Sequence, residues 1–140
     1  MYNHILIPVD GSQQASKALD HAISLVKAIG HDIPLSVIHI TGRVAMNEAF
    51  VYVDVGEMLE KEENEVLSAA AEQLKASGVT YTLLRAEGDP ATLICRTAKE
   101  RGNDLIIMGS RGVGLVSEIL LGSVSHGVSQ HSHCPVLIVK

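Results

Sequence analysis

Asp104-Leu105-Ile106-Ile107-Met108-Gly109-Ser110-Arg111-Gly112, with Gly122-Ser123 nine residues further on, decides the fold. The apolar run 105–108 reads as a buried strand. Two glycines three apart at its end let the backbone turn sharply and present N–H groups. A Cβ there would block a positive-φ turn and the close approach of a phosphate. Gly122-Ser123 then opens a second helix start, where unpaired N–H groups and the helix dipole favour an anion. Two such nests of donors, joined by the segment 113–121, can hold a polyphosphate between them.

Upstream of this loop, strands and helices alternate. Ile5 to Val9 is a continuous apolar run, followed by the turn Asp10-Gly11-Ser12. From Gln13 to Ile29 apolar residues recur at helical spacing, with Ser12 as N-cap and Gly30 as stop. Leu35 to Ile40 is a second strand, which makes a right-handed βαβ unit. Residues 42–55 show no period and read as a lid, a short extra helix or a partner surface. A long helix spans about Gly56 to Ser77, with Leu59, Val66, Leu67, Ala70 and Leu74 on one face and an acidic outer face. Val79 to Ala86 is a third strand, less apolar and therefore nearer an edge. Asp89 and Pro90 start a helix that carries Ala91, Ile94, Cys95 and Ala98 inward. Cys95 then reads as a small core residue. Leu105 to Met108 is the fourth strand, Ser123 to about His131 a short helix, and Pro135 to Val139 a fifth strand. The expectation is one domain, 1–140, with an open, doubly wound, five-stranded parallel sheet and helices on both faces, a Rossmann-like α/β fold.

Composition narrows the function. A net charge of −5 and the lack of a basic block argue against nucleic acid. No apolar run approaches the ~20 residues of a membrane span. The start, Met1-Tyr2-Asn3-His4, does not read as a signal peptide. Two cysteines make no disulfide framework, so a reduced, cytoplasmic protein is expected. His126, His131 and His133 straddle a helix end and read as surface or interface histidines.

Met108-Gly109-Ser110-Arg111-Gly112 … Gly122-Ser123-Val124-Ser125, with Pro8-Val9-Asp10 and the closing Cys134-Pro135-Val136-Leu137-Ile138-Val139, resembles the universal stress protein family. The match is to its nucleotide-binding branch, with the spacing G-x2-G-x9-G-[S/T], and covers the whole chain. The resemblance implies strand order 3-2-1-4-5, which brings Asp10 and Gly109 together where the strand order reverses. It implies an adenine nucleotide, ATP in the first instance, accompanied by Mg²⁺. Gly109, Gly112, Gly122 and Ser123 match phosphate-binding positions, and Val124 and Ser125 can add an N–H or a hydroxyl. Asp10 matches the acid that accepts from ribose hydroxyls. Ile40 matches the position whose backbone reads the adenine edge, while Pro8, Val9 and Met108 line the pocket. Arg111 is the cation inside the loop.

Binding is favoured over turnover. There is no G-x-x-x-x-G-K-[S/T] lysine and no evident general base in the loop. The function this implies is a nucleotide-dependent regulator or sensor in the stress response. Its alternatives are a slow Mg²⁺-dependent ATPase and a nucleotide-independent interaction module. The apolar last strand, Val136 to Val139, would lie at a sheet edge and pair with its copy in a homodimer.

Overall fold

Ile5–Pro8 forms strand β1, and its three aliphatic residues are fully buried. In the computed structural model, which describes residues 2–41, 53–54, 65–111 and 122–140, this strand is the centre of the sheet. Helix α1 follows at Gln13–Ile29, N-capped by Ser12, whose Oγ accepts the Ala15 N–H at 3.1 Å. Strand β2, Leu35–Thr41, lies parallel to β1 with Ile5 opposite Leu35. The two-residue strand β3, Val53–Asp54, precedes helix α2, Glu65–Ser77. Strand β4 is Tyr81–Glu87 and helix α3 is Pro90–Glu100. Strand β5, Leu105–Gly109, helix α4, Ser123–His131, and strand β6, Val136–Val139, complete the chain.

Among the described residues the sheet has six strands in the order β3-β4-β2-β1-β5-β6. Its five longer strands are parallel and follow the expected 3-2-1-4-5 order. The difference is β3, which pairs antiparallel with β4, Val53 opposite Arg85. A two-residue strand carries no periodicity, so the sequence gives no sign of it. The less apolar third strand, β4, has only this short pair outside it, as its composition suggested. The remainder of 42–55, the expected helix start 56–64, and 112–121, with Gly112 among them, lie outside the described residues.

Two cores flank the sheet. Ile5, Ile7, Val37, Leu83 and Ile107 point to the face covered by α1 and α2, through residues such as Leu19, Ile23, Leu67 and Leu74. Leu6, Ile38, Leu84, Ile106 and Met108 point to the face covered by α3 and α4. That alternation is the period of two expected of strands buried on both faces. On α3 the most buried residues are Leu93, Ile94, Thr97 and Ala98, while Ala91 and Cys95 are only partly covered. The inward set read from sequence thus missed Leu93. Burial, and then the neighbouring Cys134 thiol, pushes the Cys95 thiol up from its ordinary value. This suits a packing residue rather than a nucleophile.

The chain goes outward from β1 to β2 and β4, then returns to β5 on the other side of β1. The strand order therefore reverses between β1 and β5, and a crevice opens beyond the carboxyl ends of the strands there.

Candidate functional site

The crevice is a cavity of about 510 Å³, within the range of small-molecule sites, ~300–1,000 Å³. Its floor comes from the ends of the three central strands. β1 and the turn after it supply Pro8, Val9 and Asp10, β2 supplies Ile40, and β5 supplies Met108 and Gly109. Arg111 closes one side, and the first turn of α4 supplies Gly122, Ser123, Val124 and Ser125. Every site residue expected from sequence lines this one cavity, apart from Gly112, which is outside the described residues.

The cavity has an apolar half and an anion-favouring half. Val9, Ile38, Ile40, Ile94 and Met108 make the first. The second is the start of α4. Gly122 is its N-cap and has no side chain to accept a helix N–H. The first intrahelical bond runs from His126 N–H to the Gly122 carbonyl, 2.9 Å, so the amides of Ser123, Val124 and Ser125 have no partner within the helix. α1 and α3 differ: Ser12 caps one and Asp89 the other, each with its own side chain. The α4 terminus keeps its donors and its positive dipole end for an anion.

Neither described motif glycine takes the positive φ that the sequence suggested. Gly122 has φ −73°, which any residue can adopt, and its N–H is already given to the Ser110 carbonyl at 2.7 Å. Gly109 is not in the left-handed region either. A Cβ on it would lie 2.8 Å from the carbonyl carbon of Gln14 and 3.0 Å from the amide nitrogen of Ala15. Gly109 is thus required by the approach of α1 to the end of β5. The positive φ in this region belongs to Gly11, at +84°, in the turn after β1.

Of the two groups Ser125 could offer, the hydroxyl is already engaged. It is 2 % exposed, and its hydroxyl donates to the Ser110 carbonyl at 2.7 Å, with the Gly122 carbonyl at 3.1 Å. A hydroxyl has one hydrogen, so it has none left for a phosphate.

Asp10 is exposed, and its Oδ1 accepts the Ser12 N–H at 2.9 Å. Among the described residues Oδ2 has no hydrogen bond. Asp10 therefore shapes the turn with one oxygen and offers the other, while Ser12 does the capping.

Some lining residues were not anticipated. His39 and Thr41 extend the β2 wall, and Pro90 and Ile94 bring in the start of α3. His39 Nδ1 lies 2.9 Å from the Val9 carbonyl, which can only accept, so Nδ1 carries the proton and ties the ends of β1 and β2 together. The signal for α3 was available: in a parallel sheet all strand ends of one polarity share one edge, so the helix after β4 must start beside the cavity.

Among the described residues no group of three His, Cys, Asp or Glu could hold a metal. His131 Nδ1 instead meets the Gly127 carbonyl at 3.0 Å within its own helix. No helix among them is long and apolar enough to cross a membrane.

Fold and cavity together define an open α/β domain with a ligand crevice at the reversal of its strand order. The chain belongs to the universal stress protein family, whose model matches residues 1–140. It is 39% identical over 149 residues to the universal stress protein YxiE of Bacillus subtilis, with 100% of each chain covered. Of solved structures it is similar to the protein MJ0577, with a TM-score of 0.81 and 30% identity over 100% of this chain and 96% of that one. A universal stress protein family protein from Arabidopsis thaliana, solved with AMP bound, has a TM-score of 0.70 and covers 99% of this chain and 91% of its own. Its identity is 20%, so that likeness is one of fold.

Proposed function

We propose that this chain binds an adenine nucleotide, ATP in the first instance, and acts as a nucleotide-dependent regulator or sensor in the stress response, as a cytoplasmic homodimer. The observation that carries the reading is the cavity at the strand reversal, with an apolar floor and an uncapped helix start on its rim. A flat apolar base and a charged phosphate tail need these two environments a few ångströms apart. The Arabidopsis protein of the same fold was solved with AMP, which makes an adenine nucleotide the first ligand to test.

In this reading the amides of Ser123 and Val124, with Gly109 and Gly112, hold phosphate oxygens. Asp10 accepts from a ribose hydroxyl. The Ile40 backbone reads the adenine edge between Pro8, Val9 and Met108. Gly122 forms the wall, and Arg111 is the cation among the described lining residues. Asp10 is the carboxylate among them, so the residues present do not fit a metal held by protein alone. They fit Mg²⁺ arriving with the triphosphate, whose charge it would neutralise. One cation and one acid give little to stabilise a transferred phosphoryl group, which supports binding over turnover.

Thermal-shift titration with ATP, ADP, AMP and GTP, with and without Mg²⁺, tests the reading on wild type and Gly122→Val. The φ of Gly122 accepts valine and Gly122 lines the cavity, so this variant adds bulk to the wall without a φ penalty. A ligand that binds only the folded state adds roughly 2.7 kcal/mol of stability at a hundredfold excess over Kd, and so raises the midpoint with concentration. The expected result is a rise with ATP that Gly122→Val loses. Wild type without any rise, shown free of carried-over nucleotide, overturns the reading.

A further inference from the structure

We infer that the Ser125 hydroxyl positions the phosphate half of the cavity, acting through Ser110 without itself touching the ligand. The inference rests on the adenine-nucleotide reading above and assigns a part of the site to the framework. Ser110 is the first residue beyond β5 and is 2 % exposed. Its N–H donates to the Val139 carbonyl of β6 at 2.8 Å. Its carbonyl accepts twice, from the Gly122 N–H at 2.7 Å and from the Ser125 hydroxyl at 2.7 Å. Both lone pairs of one carbonyl are thus used, and the two donors sit at the N-cap and the third residue of α4.

This arrangement hangs the first turn of α4 from the end of β5, which is itself fixed on β6. Successive helical residues are about 100° apart, so Ser123 and Ser125 lie about 200° apart around the axis. The burial agrees: Ser123 is exposed and Ser125 buried. Ser123 is placed to meet a ligand, and Ser125 to hold the turn that carries it. Of the three α4 amides without a partner in the helix, those of Ser123 and Val124 fall between the two donors to Ser110. Their direction therefore depends on that carbonyl. The adenine half does not: Val9, Ile40 and Met108 are set by the strands.

The two halves should respond differently to loss of the Ser125 hydroxyl. In Ser125→Ala the Ser110 carbonyl keeps the Gly122 N–H, so no buried group is orphaned and the fold is retained. Calorimetric titration with adenosine, AMP and Mg²⁺-ATP on wild type, Ser125→Ala and Ser125→Thr reads the effect. Expected for Ser125→Ala is an adenosine affinity within twofold of wild type and an ATP affinity about tenfold weaker. Ser125→Thr, which keeps the hydroxyl, restores the ATP value. Equal loss for adenosine and ATP, or no loss for either, overturns the positioning role while leaving the nucleotide reading intact. Wild type that binds none of the three overturns the nucleotide reading and the positioning role with it.

Discussion

Gly109 shows how one residue can satisfy two demands, only one of which a sequence displays. Its place in a glycine-spaced loop pointed to phosphate, and the cavity does include it. What forbids a side chain there is the backbone of Gln14 and Ala15, 2.8 to 3.0 Å from any Cβ. Backbone cannot swing aside as a flexible side chain can. Gly109→Ala is therefore expected to cost about 1–3 kcal/mol, as overpacking does. Urea unfolding checks this: the midpoint should fall with an unchanged slope. The same residue scale explains why the partner of the Ser125 hydroxyl was not legible. Its partner is fifteen positions away, across the residues 112–121, and nothing in the local pattern names a carbonyl at that distance.

At the scale of elements, the strands were the most legible part. Runs such as Leu105 to Met108 are buried on both faces, and continuous apolarity is what double burial requires. Helix starts were legible where a side chain does the capping, as at Ser12 and Asp89. β3 was not, because two residues have no period. The site was legible as a set of strand ends; the contribution of α3 needed the topology. The opposite edge of the sheet carries a pH-sensitive joint that no motif marks. His4, just before β1, sets its Nε2 2.6 Å from the fully buried Ser36 hydroxyl of β2. Asp104, just before β5, accepts the N–H groups of Asn3 and His4. Burial, and secondly the positive charge of Arg101, hold the His4 imidazole below its ordinary 6.5, against the opposing pull of the Arg101 backbone and Asp104. The unfolded chain therefore takes up this proton first. Stability from His4 is full above 6.5 and is lost as pH falls through it. Urea midpoints at about pH 7.5 and about pH 5 should differ, and the difference should shrink in His4→Gln.

For the whole molecule, the outstanding feature is the outer side of β6, which pairs with no strand among the described residues. It is an edge strand of the described sheet, four aliphatic residues long, with Leu137 36 % exposed. An unpaired apolar edge invites a second strand. The proposed homodimer pairs β6 with its copy about a twofold axis. Light scattering at micromolar concentration should give a dimer for wild type and a monomer for Leu137→Lys, which leaves the two cores untouched. A monomeric wild type would remove the dimer from the proposal and leave the nucleotide reading standing.

The central place of β1 has a consequence for how the molecule is made. One of its neighbours, β2, follows thirty residues behind, Ile5 lying opposite Leu35. The other, β5, lies a hundred residues behind, Ile5 also lying opposite Leu105. At ~5–20 residues per second the ribosome needs ~5–20 s to supply that second neighbour. For this interval β1 has one bare edge, and the growing chain is a half-sheet open to other strands. The crevice cannot exist until β5 and the first turn of α4 have both been made.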